Sequence, residues 1–291
     1  MKTPQLPIHK LSLALGLASE VWLKREDLHH YGSHKGRSIP FMITHYHKEG
    51  ATQFSISSSG NAALAAALSI QAHNKNKPSD PLSLQIFVGE NIDATKLKQL
   101  KKFTDQHISL TQSANPKQQT LKWAKTNAAI QLRQSTDENA LTGYTELAEE
   151  LSKIENLTAV FVPTSSGTAA VGLYLGFKKL NLNPQIHIIQ TTSCHPMVPS
   201  PLPLPPLPSI ATAIVDKVAH RKLAVLEIIK NSHGSGWVAT NEEIIKAIKL
   251  VKETTGIDIS PNSALSVVGL MQAIHAGSTF SGPVVCLITG K

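Results

Sequence analysis

Short apolar runs rich in β-branched residues alternate along this chain with longer stretches in which apolar positions recur at helical spacing. Residues 21–23, 53–57, 84–88, 159–162, 185–190 and 284–288 read as strands. Residues 36–47, 62–72, 94–103, 117–126, 140–154, 168–180 and 242–254 read as helices. Strand and helix in alternation predict parallel sheets crossed by helices, so the fold class is α/β. No unit repeats at a fixed period, which excludes solenoids and propellers. The apolar run at 11–18 falls short of the ~20 residues that a membrane helix needs. Functional-looking sequence begins directly after it, at Val21, which argues against a signal peptide. Residues 196–208 alternate proline with leucine and serine and predict a stiff, extended connection.

The chain has 291 residues, enough for two domains at roughly 100 to 200 residues each. Its formal charge of +8 invites a nucleic-acid reading, but only Arg25, Arg37, Arg133 and Arg221 are arginines and aromatics make up 5%. The lysines are scattered, and no basic stripe interleaved with stacking aromatics appears, so no nucleic-acid partner is expected. Cys194 and Cys286 belong to no metal-ligand or disulfide spacing, which points to a reducing compartment, the cytoplasm. Of the 13 histidines, His29, His30, His45 and His47 lie near one another in sequence. His45 and His47 are two apart and do not share a helix face, so packed or surface histidines are expected and no metal site.

Candidate chemistry collects at three junctions where a loop runs into a helix, the places where parallel sheets bind ligands. The first runs from Lys24 through Gly32-Ser33-His34-Lys35 to Arg37. A cation at a helix start opposes the helix dipole, and Lys35 makes sense there if its amine is tied up as a Schiff base. A solvated loop lysine is the competing reading. The second is Ser57-Ser58-Ser59-Gly60-Asn61 before an alanine-rich helix, a site for a carboxylate or simply an N-cap by Ser59 or Asn61. The third is Pro163-Thr164-Ser165-Ser166-Gly167-Thr168, whose small residues allow close approach of a phosphate. Neither GxxxxGK[ST] nor GxGxxG occurs, so nucleotide cofactors are not expected.

A lysine, a carboxylate cradle and a phosphate cradle in this order resemble the fold-type-II pyridoxal-phosphate enzymes, the tryptophan synthase β-subunit superfamily. Gly32-Ser33-His34-Lys35 matches the segment with the Schiff-base lysine, Ser59-Gly60-Asn61 the segment that touches substrate and cofactor, and Ser165 to Thr168 the phosphate loop. Ser209-Ile210-Ala211-Thr212-Ala213-Ile214, Ser260-Pro261-Asn262-Ser263-Ala264 and the closing Val284 to Gly290 look most like threonine synthase. His34 stands where Phe is usual, Gly36 where Asp is frequent, and Ser165 and Ser166 replace glycines.

The resemblance implies pyridoxal 5'-phosphate as cofactor, a small amino acid as substrate and a homodimer. It implies that Lys35 is catalytic, attaching the cofactor and moving the Cα proton. Asn61 would bond the cofactor's phenolic oxygen, Ser165, Ser166, Gly167 and Thr168 its phosphate, and Thr289 the pyridine nitrogen. Ser58, Ser59, Gly60 and Asn61 would hold the substrate carboxylate, and Lys24 and Arg37 are candidates for a second phosphate. The implied activity is that of a lyase acting by elimination or replacement, threonine synthase-like. A serine/threonine dehydratase and a cysteine synthase-like enzyme are alternatives, as is a degenerate binding protein, motivated by the altered loops and by relatives that continue past Thr289. The implied architecture is a small domain at 35–139 and a large phosphate-binding domain of 1–34 with 140–291, the cofactor lying in the interdomain cleft.

Overall fold

A computed structural model describes residues 2–198 and 207–290, so most of the proline-rich stretch lies outside the described residues. The chain divides into two compact units, one of Met1–His29 with Tyr144–Lys291 and the other of His30–Gly143. The larger unit begins with β1 (Gln5–Pro7), α1 (His9–Ala14) and β2 (Val21–Arg25), followed by a 3-10 turn at Glu26–Leu28. The smaller unit comprises α2 (Lys35–Lys48), β3 (Gln53–Ser57), α3 (Asn61–Asn76), β4 (Ser83–Gly89), α4 (Ala94–Lys101), β5 (Ile108–Ser113), α5 (Pro116–Thr126), β6 (Ile130–Gln131) and α6 (Asn139–Thr142). The larger unit resumes with α7 (Thr145–Leu151), β7 (Ala159–Pro163), α8 (Thr168–Lys179), β8 (Gln185–Thr191) and α9 (Lys222–Ser232). It closes with β9 (Gly236–Ala239), α10 (Asn241–Thr255), α11 (Pro261–His275) and β10 (Val284–Ile288).

In the smaller unit four parallel strands take the order β5-β4-β3-β6. The alanines of α3 favour the helix intrinsically and let it lie close to its neighbours. Ala63, Ala66, Ala67 and Ile70 join Ile39 and Met42 of α2 and Phe54, Ile56 and Ile86 of the sheet in one core.

The larger unit's sheet has the order β1-β2-β10-β7-β8-β9, parallel except for β1. Its central strands β10 and β7 are buried at every residue, which is why they read as unbroken apolar runs. Phe161, Ile189, Val284 and Cys286 face α1, α10 and α11 in one core. The alternate residues Val160, Val162, Ile188 and Leu287 point the other way, where α8 and α9 pack on β8.

The predicted strands and most predicted helices form, with two instructive differences. The helix expected over 140–154 is broken into α6 and α7 around Gly143. A Cβ at Gly143 would lie 2.3 Å from the Arg37 carbonyl oxygen, so the chain passes too close to α2 for any side chain. Helix α11 escapes the periodicity because Ser263 through Leu270 are all buried, and a helix buried on every side carries no polar stripe. Among the described residues no helix is long and apolar enough to cross a membrane.

Candidate active site

In the smaller unit Lys35 is the first residue of α2. Gly32 takes a left-handed turn with φ of 80°, and a Cβ there would meet Leu64 Cδ2 at 3.2 Å. This turn therefore packs on the first turn of α3, which brings the starts of α2 and α3 to one end of the unit. The Lys35 amide donates to Ser33 Oγ at 3.3 Å. Burial lowers the Lys35 amine to about 8, because the charged form loses hydration.

Helix α3 starts at Asn61 behind Gly60, and no side chain caps it. The capping by Ser59 or Asn61 that the sequence allowed does not form. The Leu64 amide makes the first bond, to the Gly60 carbonyl at 3.1 Å, so the amides of residues 61–63 lack intrahelical acceptors. Ser58 Oγ accepts from the Gly60 amide at 3.3 Å, and Ser59 and Gly60 are exposed. The segment can present donors to an anion.

In the larger unit β7 runs into Thr164, and Gly167 then turns left-handed (φ of 82°) to launch α8. A Cβ on Gly167 would lie 2.5 Å from Val225 Cγ2. No side chain caps α8, whose first bond runs from the Val171 amide to the Gly167 carbonyl at 3.0 Å. The amides of Ala169 and Ala170 thus point out of the helix end, beside the Ser166 and Thr168 hydroxyls, which lie 2.9 Å apart. Ser165 is partly committed elsewhere, since its Oγ accepts from the amides of Val215 at 3.1 Å and Asp216 at 3.3 Å.

Thr289 follows β10, the parallel neighbour of β7, and is buried 3.5 Å from Ser263 Oγ. Ser260 and Ser263 each donate to the Gly290 carbonyl at 2.7 Å. Asn262 Oδ1 accepts from the Ala213 amide at 2.9 Å. The 165–168 turn, residues 213–216, the start of α11 and Thr289 therefore share one network at the carboxyl ends of adjacent strands, the usual place for a ligand in such sheets. Sequence reasoning singled out these segments without seeing that Ser263 and Asn262 would fasten them. A serine followed by proline is a helix-start signal that could have found α11. Arg221, buried with its Cβ 3.4 Å from a Cβ built on Gly167, was missed because it is distant in sequence.

Lys24 corrects the reading that offered it as a second anion-binding cation. It is fully buried, donates to the Thr3 carbonyl at 2.9 Å and to Gln5 Oε1 at 3.3 Å, and pairs with Glu150. Arg37 is buried as well, in α2. His45 pairs with Glu49 at 3.3 Å, whereas His47 faces Asp80.

The sequence profile of the family described as "Pyridoxal-phosphate dependent enzyme" matches residues 1–290. A threonine synthase from Bacillus sp. (strain ULM1) is 27% identical over 308 aligned positions, covering 99% of this chain and 82% of the relative. Among solved structures, the processed form of threonine deaminase isoform 2 from Solanum lycopersicum superposes with a TM-score of 0.81 at 18% identity, over 100% of this chain and 84% of that one. Maize serine racemase gives 0.81 at 16% identity, over 100% and 88%. These structures share the fold, yet the two proteins are named for different reactions. The match along almost the whole chain, on an α/β fold of mostly parallel sheets, means that this protein belongs to the pyridoxal-phosphate-dependent enzyme family.

Proposed function

We propose that this enzyme performs threonine synthase-like chemistry, converting O-phosphohomoserine and water to threonine and inorganic phosphate, the leaving phosphate departing from Cγ and water supplying the new hydroxyl on Cβ. The observation that carries the site assignment is the network joining the uncapped 165–168 turn to Thr289 at the ends of β7 and β10. The reaction class rests on the curated relatives, which are named threonine synthases and align with 99% of the chain.

The residues present fit the cofactor. Amides at the start of α8, with the hydroxyls of Ser166 and Thr168, match a phosphate; Ser165 can still donate its hydroxyl hydrogen. The neutral hydroxyl of Thr289 matches a pyridine nitrogen, Asn61 a phenolic oxygen, and the Lys35 amine an aldehyde. When bound, the cofactor supplies an electron sink for charge at the substrate Cα. Lys35 would take and return the Cα proton. With its pKa lowered to about 8, about one amine in ten is neutral at pH 7, far more than for a solvated lysine. Ser58, Ser59 and Gly60, with the open amides of α3, would hold the substrate carboxylate. The reading carries with it a homodimer in the cytoplasm, to be tested by solution scattering and cell fractionation.

One observation favours a serine/threonine dehydratase as the second reading: the buried pairing of Lys24 with Glu150 removes one of two cations offered for a second phosphate. A dehydratase needs no such site. Purified, cofactor-loaded enzyme should release inorganic phosphate and threonine from O-phosphohomoserine. Ammonia and a 2-oxo acid from threonine, with no phosphate release, would establish the second reading instead.

A further inference from the structure

Within the smaller unit, His47 lies in the last turn of α2, His73 in the last turn of α3, and Asp80 in the loop before β4. Each offers a ligand atom, and the three atoms lie within 4.8 Å of one another. We infer that these residues form a binding site for a divalent transition-metal ion of the zinc class, which clasps the ends of α2 and α3 to the α3–β4 loop.

The chemistry of the donors sets the class. Two imidazoles and one carboxylate suit zinc and its neighbours in preference to magnesium or calcium, which take oxygen ligands. Contacts at both nitrogens orient the His47 ring, with Nδ1 3.2 Å from the Ala51 carbonyl and Nε2 3.0 Å from Asp80 Oδ2. A ring nitrogen bonded to a backbone carbonyl is the usual second partner of a metal-bound histidine, because it fixes the tautomer and leaves the other nitrogen's lone pair for the ion. The His73 ring is anchored by a 2.9 Å contact between Nε2 and the Asp80 main-chain oxygen, and it meets the His47 ring edge-on at 4.9 Å.

The loop is held as well. Asn74 of α3 donates to the Leu82 carbonyl at 2.9 Å and accepts from the Leu82 amide at 2.8 Å, while the Asp80 amide closes a turn onto Lys77 at 3.1 Å. Tetrahedral zinc with bonds of about 2.0–2.1 Å sets its ligand atoms ~3.3 Å apart, so small side-chain rotations complete the site. Both helices present their C-terminal ends there, whose partial negative charge favours a cation. Asp80 is half exposed, leaving room for water as a fourth ligand.

His47 lies at the opposite end of α2 from Lys35, about 18 Å away at 1.5 Å per residue, so the test of this site is independent of the proposed reaction. Untagged, cofactor-loaded full-length protein is titrated with Zn2+ in a non-coordinating buffer, with Mg2+ as the comparison, by calorimetry and by melting temperature. One Zn2+ should bind per chain and raise the melting temperature, while Mg2+ does neither. D80N and H73A should each weaken Zn2+ binding by about tenfold or more, and D80N, at a half-exposed carboxylate, should keep the native circular dichroism. Co2+ should give visible absorption bands in the wild type that D80N lacks. Zn2+ affinity unchanged in D80N and in H47Q, or a wild-type chain that takes up no Zn2+ at micromolar concentration, overturns the inference.

Discussion

A single amine carries the chemistry proposed for the smaller unit, and its behaviour follows from where it is held. Burial lowers Lys35 to about 8 from 10.5, so the apoprotein amine should react with an amine-selective reagent with a midpoint near pH 8. Peptide mapping separates the Lys35 adduct from those of the other lysines. Lys35→Ala should abolish visible cofactor absorption and lower turnover by 10³-fold or more, roughly the effect of removing a positioned acid–base group together with an attachment point. His187 tests stability in the same way. Its ring stacks on Phe161 at 4.4 Å, contacts Gln185 Oε1 at 3.0 Å and accepts from Trp237 Nε1 at 3.2 Å, and burial lowers it to about 4. The unfolded chain takes up that proton near pH 6.5 while the folded chain resists until about pH 4. Stability is therefore full above pH 6.5 and falls by about 3 kcal/mol on acidification toward pH 4. Urea melts of His187→Phe should lack that share of the pH dependence.

At the scale of elements, the starts of α2, α3 and α8 are built without side-chain caps, and sequence chemistry alone made the opposite equally reasonable for α3. Among the described residues three other helices do carry side-chain caps: Asp93 at α4, Ser260 at α11, and at α10 a reciprocal capping box between Thr240 and Glu243. Thr240→Ala should cost about 1 kcal/mol by denaturant melting without touching cofactor binding. Gly167→Ala should do something different. A left-handed φ and a methyl 2.5 Å from Val225 Cγ2 force the turn to shift, so cofactor affinity should fall by about tenfold or more while most of the melting temperature survives. Equal losses of stability in the two variants would show that Gly167 serves packing alone.

Over the whole molecule, the larger unit is assembled from two stretches of chain separated by all of residues 30–143. Lys24 is one of the fasteners: it reaches back to the Thr3 carbonyl and forward to Glu150 on α7, while the Thr3 amide donates to the same carboxylate at 3.1 Å. Lys24→Met strands a buried carboxylate and should destabilise this unit by about 3–5 kcal/mol. Adding Glu150→Leu should recover much of that loss, because the charge left unpaired is gone. Failure of the second substitution to rescue would mean that the pair contributes packing and not electrostatic balance.

Strands such as Val284–Ile288 and Ala159–Pro163 were legible because unbroken apolar runs have one good solution, burial on both faces of a parallel sheet. The lysine, the Ser-Gly-Asn turn and the small-residue loop could be singled out as candidates because their chemistry is local, and each stands at a helix start. Helix α11 and the need for glycine at 143 were not legible, since the first is buried on every side and the second follows from the close approach of α2, a contact between residues far apart in sequence. The same limit hid the roles of Ser263, Asn262, Lys24 and the His47, His73 and Asp80 cluster. A sequence records periodicity and residue type, which are properties of neighbours along the chain. Which distant side chains share a proton, an ion or a close approach is decided only when tertiary packing brings them within a few ångströms.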